Sequence, residues 1–489
     1  MAAALAGALA LLGGIAPANA ADSKPNILFI ITDDLGWKDV GYHGSDIKTP
    51  NIDALAAGGA KLEQFYAQPL CTPTRACLMT GRYPLRYGLQ TAVIPAAYTY
   101  GLPTDEWLLP QSLKEAGYKT AIVGKWHLGH GDRKFWPRQR GFDHQYGPLI
   151  GEIDYFTHKE HDTVDWYRDN KVVVEEGYST TLLGNDAVKL VNAHDPAMPL
   201  YLYLAFNAAH TPYQATPEYL DRYKHIADPS RRAYAGSITA MDDQIGRVLA
   251  ALDQKKMRDN TLIIFMSDNG GTRSAKFAGS ITDMAKVVLP CDNGLYREGK
   301  GELYEGGTRV IALANWPGHI KAGSTVNGMM HVVDLYPTLA KLAGASTAKC
   351  KPLDGVDVWQ TISEGAASPR GDRLQRGALS RWHPPRRLEI GLANPAPGDG
   401  RTLQHREGSV REEQPRCGES RQGGGVAEAR QRTGRRDGQA DAPGNRTQSH
   451  DATAEDAGIV SGRLRQPQRG AMKMKTKRTK AIEESTGNA

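Results

Sequence analysis

The feature that most constrains the fold is a pattern that occurs four times: a short, largely apolar run that stops abruptly at polar, chemically capable residues. Asn26–Ile31 ends at Thr32-Asp33-Asp34, and Lys119–Val123 ends at Gly124-Lys125-Trp126-His127. Leu200–Phe206 ends at Asn207-Ala208-Ala209-His210, and Thr261–Met266 ends at Ser267-Asp268-Asn269. Runs of this length without polar alternation predict strands buried on both faces. Between them the apolar spacing lengthens to three and four residues. Tyr234, Ile238, Met241, Ile245, Val248, Leu249 and Leu252 predict a long amphipathic helix. Shorter helices are predicted from Pro50 to Gly58, over Asp105–Ala116, over Leu182–Val191 and over Asp334–Ala343, with a further strand at Val310–Ala314. This alternation predicts an α/β sandwich with a large, mostly parallel central sheet. The four polar clusters then share one rim, the carboxyl ends of the strands, where open α/β sheets bind ligands.

A further stretch, Cys71-Thr72-Pro73-Thr74-Arg75, followed by Gly81-Arg82, points at the same rim. Pro73 suits a first helical turn, Thr72 or Cys71 can cap it, and Gly81 can end it. Cys71 is therefore expected where unpaired backbone N–H groups face an anion. Arg75, one turn on, is expected to face the same end and offer its guanidinium to a tetrahedral oxyanion. Asp33, Asp34, Asp268 and Asn269 are oxygen donors with no cysteine or histidine pair at zinc spacing, which implies a hard divalent cation, calcium in preference to magnesium. Lys125, Lys300 and Arg75 add the positive charge that an anionic ester requires. Singly, an Asp-Asp pair is commonly a turn and a lone histidine commonly structural. Four strand ends together carry the reading.

The formal net charge of +6 would suggest nucleic acid until it is mapped. Residues 383–489 hold 20 Lys+Arg against 14 Asp+Glu, so the preceding 382 residues are neutral and the body of the chain shows no signature of a nucleic-acid partner. Five scattered cysteines exclude a disulfide scaffold. Residues 1–20, an Ala/Leu/Gly run closing on Ala18-Asn19-Ala20, are expected to be a signal peptide, although no Lys or Arg precedes the run. The apolar run of about 16 residues is short for a membrane span, so no stable membrane insertion is expected. Residues 21–378 are expected to form the catalytic domain. None of the 8 Trp, 20 Tyr or 8 Phe lies beyond Trp382. Residues 379–489 are therefore read as an Arg/Gly-rich tail, disordered or the product of a shifted reading frame.

On these motifs the chain resembles the formylglycine-dependent (type I) sulfatases. The likeness runs from about Pro25 to Trp359 through Cys71-Thr72-Pro73-Thr74-Arg75, the family's C-x-P-x-R, then Gly124-Lys125-Trp126-His127-Leu128-Gly129 and Asp268-Asn269-Gly270. Gly88-Leu89-Gln90, Leu108-Leu109-Pro110-Gln111 and Arg140-Gly141-Phe142-Asp143 are similar to the arylsulfatase B (N-acetylgalactosamine-4-sulfatase) branch. The resemblance implies an alkaline-phosphatase-like sandwich and hydrolysis of aryl or carbohydrate sulfate esters in a secreted or periplasmic setting. It implies one calcium ion, held by Asp33, Asp34, Cys71, Asp268 and Asn269, and oxidation of Cys71 to formylglycine by a maturation enzyme. Arg75, Lys125 and Lys300 would hold the sulfate, His210 with Lys300 would protonate the departing alcohol, and His127 would take a proton from the formylglycine hydrate. Two histidines of ordinary basicity would give a bell-shaped or acid-side pH profile. The alternatives are a phosphonate or phosphate monoester hydrolase of the same superfamily, and an inactive remnant. The family's small C-terminal antiparallel domain is expected to be missing or disrupted, because its pattern is lost after Arg376-Gly377-Ala378-Leu379.

Overall fold

The computed structural model of the chain describes residues 24–274 and 289–371. The predicted leader and the tail from residue 379 lie outside these residues, as does the position of the small C-terminal domain.

A ten-stranded sheet forms the centre. Its order from one edge is Ser324–Val326, Ala60–Leu62, Ala312–Asn315, Thr261–Ser267, Asn26–Thr32, Leu200–Ala205, Lys119–Gly124, His144–Gly147, Tyr167–Arg168 and Lys171–Val172. The five strands from Thr261–Ser267 to His144–Gly147 run parallel, and antiparallel pairings begin on either side of them. The architecture is the α/β sandwich with a large, mostly parallel central sheet expected from the strand-helix alternation, and it agrees with the alkaline-phosphatase-like sandwich that the resemblance implies.

Period-two geometry explains why the central strands read as unbroken apolar runs. Every residue of Asn26–Thr32 is buried. Ile27, Phe29 and Ile31 join one core with the helices Cys71–Thr80 and Leu335–Leu342, while Leu28 and Ile30 join a second core on the other face. That second core is closed by Ser179–Ala193 and by the 26-residue helix Pro229–Gln254, which buries Tyr234, Ile238, Met241, Ile245, Val248 and Leu252 of the predicted face and leaves Leu249 half-buried at its margin.

Element ends differ from expectation where local chemistry overrides the pattern. The helix predicted from Asp105 spans only Leu109–Glu115, because Gln111 Oε1 accepts from the Leu108 backbone N–H at 3.0 Å and Pro110 lies in its first turn. The strand expected at Val310–Ala314 is shifted to Ala312–Asn315, since the Val310 N–H is already given to Phe65 O.

One glycine fixes how the rim is built. Gly124 ends its strand at φ 116°, and a Cβ there would lie 1.8 Å from Ala205 O on the neighbouring strand. This close approach lets Lys125 N–H bond Ala205 O at 2.8 Å and turns the chain into the site. Gly318, at φ 76°, has open space around the same position. Gly124→Ala is therefore expected to destabilise by about 3 kcal/mol or more, combining backbone strain with a backbone clash, against about 1 kcal/mol for Gly318→Ala. Thermal melts of the two variants side by side check the difference.

Candidate active site

The strand ends converge as the apolar runs imply. Asp33 and Asp34 follow Thr32, Lys125 follows Gly124, and Asp268-Asn269 follow Ser267, all buried. His210 arrives five residues beyond its strand, and Lys300 enters from a loop, its N–H bonded to Gly271 O at 3.2 Å.

Cys71 opens the helix Cys71–Thr80, and Gly81 closes it in the left-handed conformation at φ 66°. The N-cap is Leu70, not Thr72 or Cys71. Thr72 is otherwise engaged, donating to His127 O at 3.0 Å and accepting from Ile94 N–H at 3.2 Å, so it ties three loops together. Cys71 Sγ lies 3.4 Å from Asp33 Oδ1, and burial pushes its thiol up. As a thiol it is a poor nucleophile here.

Arg75 departs from expectation. Its Nε and Nη2 donate to Asp268 Oδ2 at 3.1 and 2.9 Å, and Nη1 donates to Lys125 O at 3.0 Å. Fully buried, it holds Asp268 and the Lys125 backbone in place and does not line the cleft. Lys125 donates to Asp33 Oδ2. Lys300 donates to Asp34 Oδ2 at 2.8 Å and lies 2.9 Å from His210 Nε2. His210 Nδ1 is 2.7 Å from Thr211 O, which fixes the tautomer: Nδ1–H donates to the carbonyl, and Nε2 accepts from the Lys300 ammonium. Burial alone would raise the carboxyl of Asp33, but the cations Lys125, Arg75 and Lys300 outweigh it and hold it well below the usual range. Burial, then Lys125 and Arg75, push His127 well below its ordinary value, so its ring is neutral.

The donor set fits a divalent cation. Asp33, Asp34, Cys71 and His210 each bring one ligand atom to within 4.8 Å of the others. Asn269 Nδ2 donates to Asp34 Oδ1 at 2.8 Å, while Asn269 Oδ1 is buried with no protein partner, an orphan acceptor of the kind a hard cation takes up. Asp268 stands apart from the four-residue group, its Oδ2 claimed by Arg75. Three buried carboxylates face three buried cations, Arg75, Lys125 and Lys300. A divalent ion would leave the centre positive, as an anionic substrate needs.

The site opens on a cleft of about 420 Å3 whose lining includes Cys71, His127, His210 and Lys300. Its outer walls come from Val93–Ala97 on one side and from Ile150–Glu152 with Glu160-His161 on the other. The aromatic-rich segment from about Arg133 to Glu176 supplies this second wall, through residues that no motif marked. Gly151 packs flat on the His127 ring, where a Cβ would come within 2.3 Å of Cε1. Asp165 holds this wall, accepting from Ile150 N–H at 2.7 Å. These residues end no apolar run, so the strand-end signal could not find them.

The Sulfatase family profile matches residues 25–345. The chain belongs to the sulfatase family. It is 40% identical over 368 residues to arylsulfatase J of Mus musculus, covering 73% of this chain but 58% of that protein, so it spans under two thirds of that relative's length. It is 34% identical over 390 residues to N-acetylgalactosamine-6-sulfatase of Homo sapiens, covering 74% and 71% of the two chains. Among solved structures it is similar to Ps i-CgsB in complex with k-i-k-neocarrahexaose, with a TM-score of 0.64, 36% identity, and coverage of 71% of this chain and 77% of that one. The sulfatase motifs quoted from the sequence all lie within the matched residues.

Burial pushes the Asp165 carboxyl up to about 7. A carboxyl raised in the folded state binds its proton more tightly there than in the unfolded chain, so its contribution is full below the unfolded value and declines as pH rises through about 7. Asp165→Asn is expected to reduce the fall in melting temperature between about pH 6 and pH 8, read by thermal melts across that range.

Proposed function

We propose that this protein hydrolyses sulfate esters of aryl or carbohydrate alcohols at the cleft above Cys71, after Cys71 has been converted to formylglycine by a maturation enzyme. The observation that carries the reading is Cys71 at a helix N-terminus, beside Asp33 and within ligand distance of Asp34 and His210. The anionic ester matches the excess positive charge of such a centre, and membership in the sulfatase family supports the reaction class.

As the hydrated aldehyde, residue 71 supplies one hydroxyl to attack sulfur and a second whose deprotonation expels sulfate and restores the aldehyde. Asp33, Asp34 and Asn269, with Asp268 anchored by Arg75 behind them, would hold a calcium ion beside residue 71, and its charge would favour loss of a proton from a neighbouring hydroxyl. The remaining work falls to side chains of the chain itself. Lys300, which lines the cleft, offers its ammonium group to the oxygens of the ester, with the charge of Lys125 behind it on Asp33. His210 and Lys300 share a proton across 2.9 Å, and this pair delivers it to the departing alcohol oxygen. His127, neutral and with Nδ1 unpartnered, is prepared to accept the proton of the second hydroxyl. Arg75 acts through Asp268 as a positioning residue. The reading also carries the expected setting, a protein exported by its N-terminal leader. Among the described residues, no helix is long and apolar enough to cross a membrane.

The decisive experiment is hydrolysis of 4-nitrophenyl sulfate by the matured full chain with calcium, beside Cys71→Ala. The variant is expected to lose turnover entirely, and a Cys71 peptide mass corresponding to formylglycine is expected in the active protein. Turnover of 4-nitrophenyl phosphate in preference to the sulfate would overturn the sulfatase reading in favour of a phosphoester hydrolase.

The pH profile carries a second expectation that differs from the one based on two ordinary histidines. Because burial and neighbouring cations keep His127 neutral, acidification should not remove the proton acceptor near the ordinary value of about 6.5. Any acid limb carried by His127 is expected below that ordinary value. A limb centred near 6.5 that vanishes in His127→Asn would contradict this assignment.

A further inference from the structure

Beyond the reaction centre, the charge lining the cleft changes sign. Of the described lining residues only Lys300 is a lysine or arginine, and it belongs to the centre itself. The remaining formal charges are the carboxylates of Glu152 and Glu160, with His161 beside Glu160 at 3.7 Å. Neither carboxylate belongs to a mobile rim, since both side chains are only 15% exposed. Glu160 sits on a short hairpin, Lys159–Glu160 paired with Thr163–Val164. The hairpin is anchored by His158, which stacks on Trp166 at 4.5 Å and bonds Gly177 O at 3.0 Å. Glu152 approaches His210 Nδ1 to 4.0 Å and lines the cleft beside it, so the acidic wall begins next to the residue paired with Lys300. The opposite wall, Val93 to Ala97, offers apolar surface to one face of a ring. His127 Nδ1, buried and unpartnered, lines the same space.

We propose that this cleft selects esters whose alcohol is uncharged and rich in hydroxyls, a singly sulfated sugar, with Glu152 and Glu160 accepting hydrogen bonds from its hydroxyls and repelling a second sulfate or carboxylate. An ionised carboxylate is purely an acceptor, so a sugar hydroxyl pairs with it while a second anion does not. Burial and the proximity of Glu152 push the Glu160 carboxyl up, the behaviour of an acid short of donors. The proposal rests on the sulfatase reading and narrows its substrate class.

The test compares kcat/KM of the matured full chain with calcium on three sugars: N-acetylgalactosamine 4-sulfate, the 6-sulfate and the 4,6-disulfate, with 4-nitrophenyl sulfate as the report on chemistry. The better monosulfate is expected to exceed the disulfate on the order of tenfold, the scale of one unfavourable charge pair at partly screened range. Glu160→Gln is expected to shrink that ratio several-fold by improving the disulfate. A wild-type enzyme that takes the disulfate as well as the monosulfates, or a ratio unchanged in Glu160→Gln, would overturn the proposal. Thermal-shift binding of the same sugars to the unreactive Cys71→Ala chain separates the two levels of the reading. Preference for a monosulfate there, with no turnover of any ester by protein whose formylglycine is verified, would keep the selectivity and reject the hydrolase. Turnover of the aryl ester with no binding preference would do the reverse.

Discussion

The structure depends on cancellation of charge in a place where water cannot help. Asp33, Asp34 and Asp268 meet Arg75, Lys125 and Lys300 with almost no solvent exposure. Removing each ion from water costs several kcal/mol, which only close, hydrogen-bonded partners offset. The bonds that do so cross the sheet: Arg75 to Asp268, Lys125 to Asp33, Lys300 to Asp34. The parallel strands give those partners a common rim, and the two cores hold the strands in register. Loss of one member strands its partner as a buried charge, so the site and the fold share their stability.

The fold was legible because a strand buried on both faces has no polar face to conceal its limits. Asn26–Thr32 stops at Asp33 because two buried carboxylates cannot continue a two-sided apolar layer. The same logic exposed Lys125 and Asp268. What remained hidden depends on geometry at distance. Thr72 looked like a cap, but its hydroxyl goes to His127 and Ile94, partners that only the folded chain supplies. Arg75 looked like an anion ligand because spacing along a helix gives the direction of a side chain and not what waits there; Asp268 waits there. Glu152, Glu160 and Asp165 carried no periodic signal, because loops that shape a cleft owe their positions to the scaffold and not to any repeat in their own residues.

The division of labour follows from this. Groups on strand ends are held by backbone pairing on both sides, which suits atoms that must keep fixed distances to a reacting centre. Groups on the outer walls hang from short hairpins and turns, where substitution alters what fits while leaving the sheet intact. Two residues of the inner set pay for their positions in backbone strain: Asp34 and His127 both adopt φ 58°, a region that non-glycine residues seldom occupy. Both sit where a turn must aim a side chain back over the rim.

The pairing of Lys300 with Asp34 joins residues 266 positions apart in the chain. Synthesis delivers Asp34 and Cys71 long before Lys300, so for much of the chain's emergence the carboxylates lack one of their three cations and the helix bearing Cys71 cannot settle into its final seat. During that interval the thiol lacks the packing that leaves it 1% exposed in the folded chain. The order in which the chain appears thus makes burial of Cys71 a late event, completed by a lysine 229 residues downstream of it.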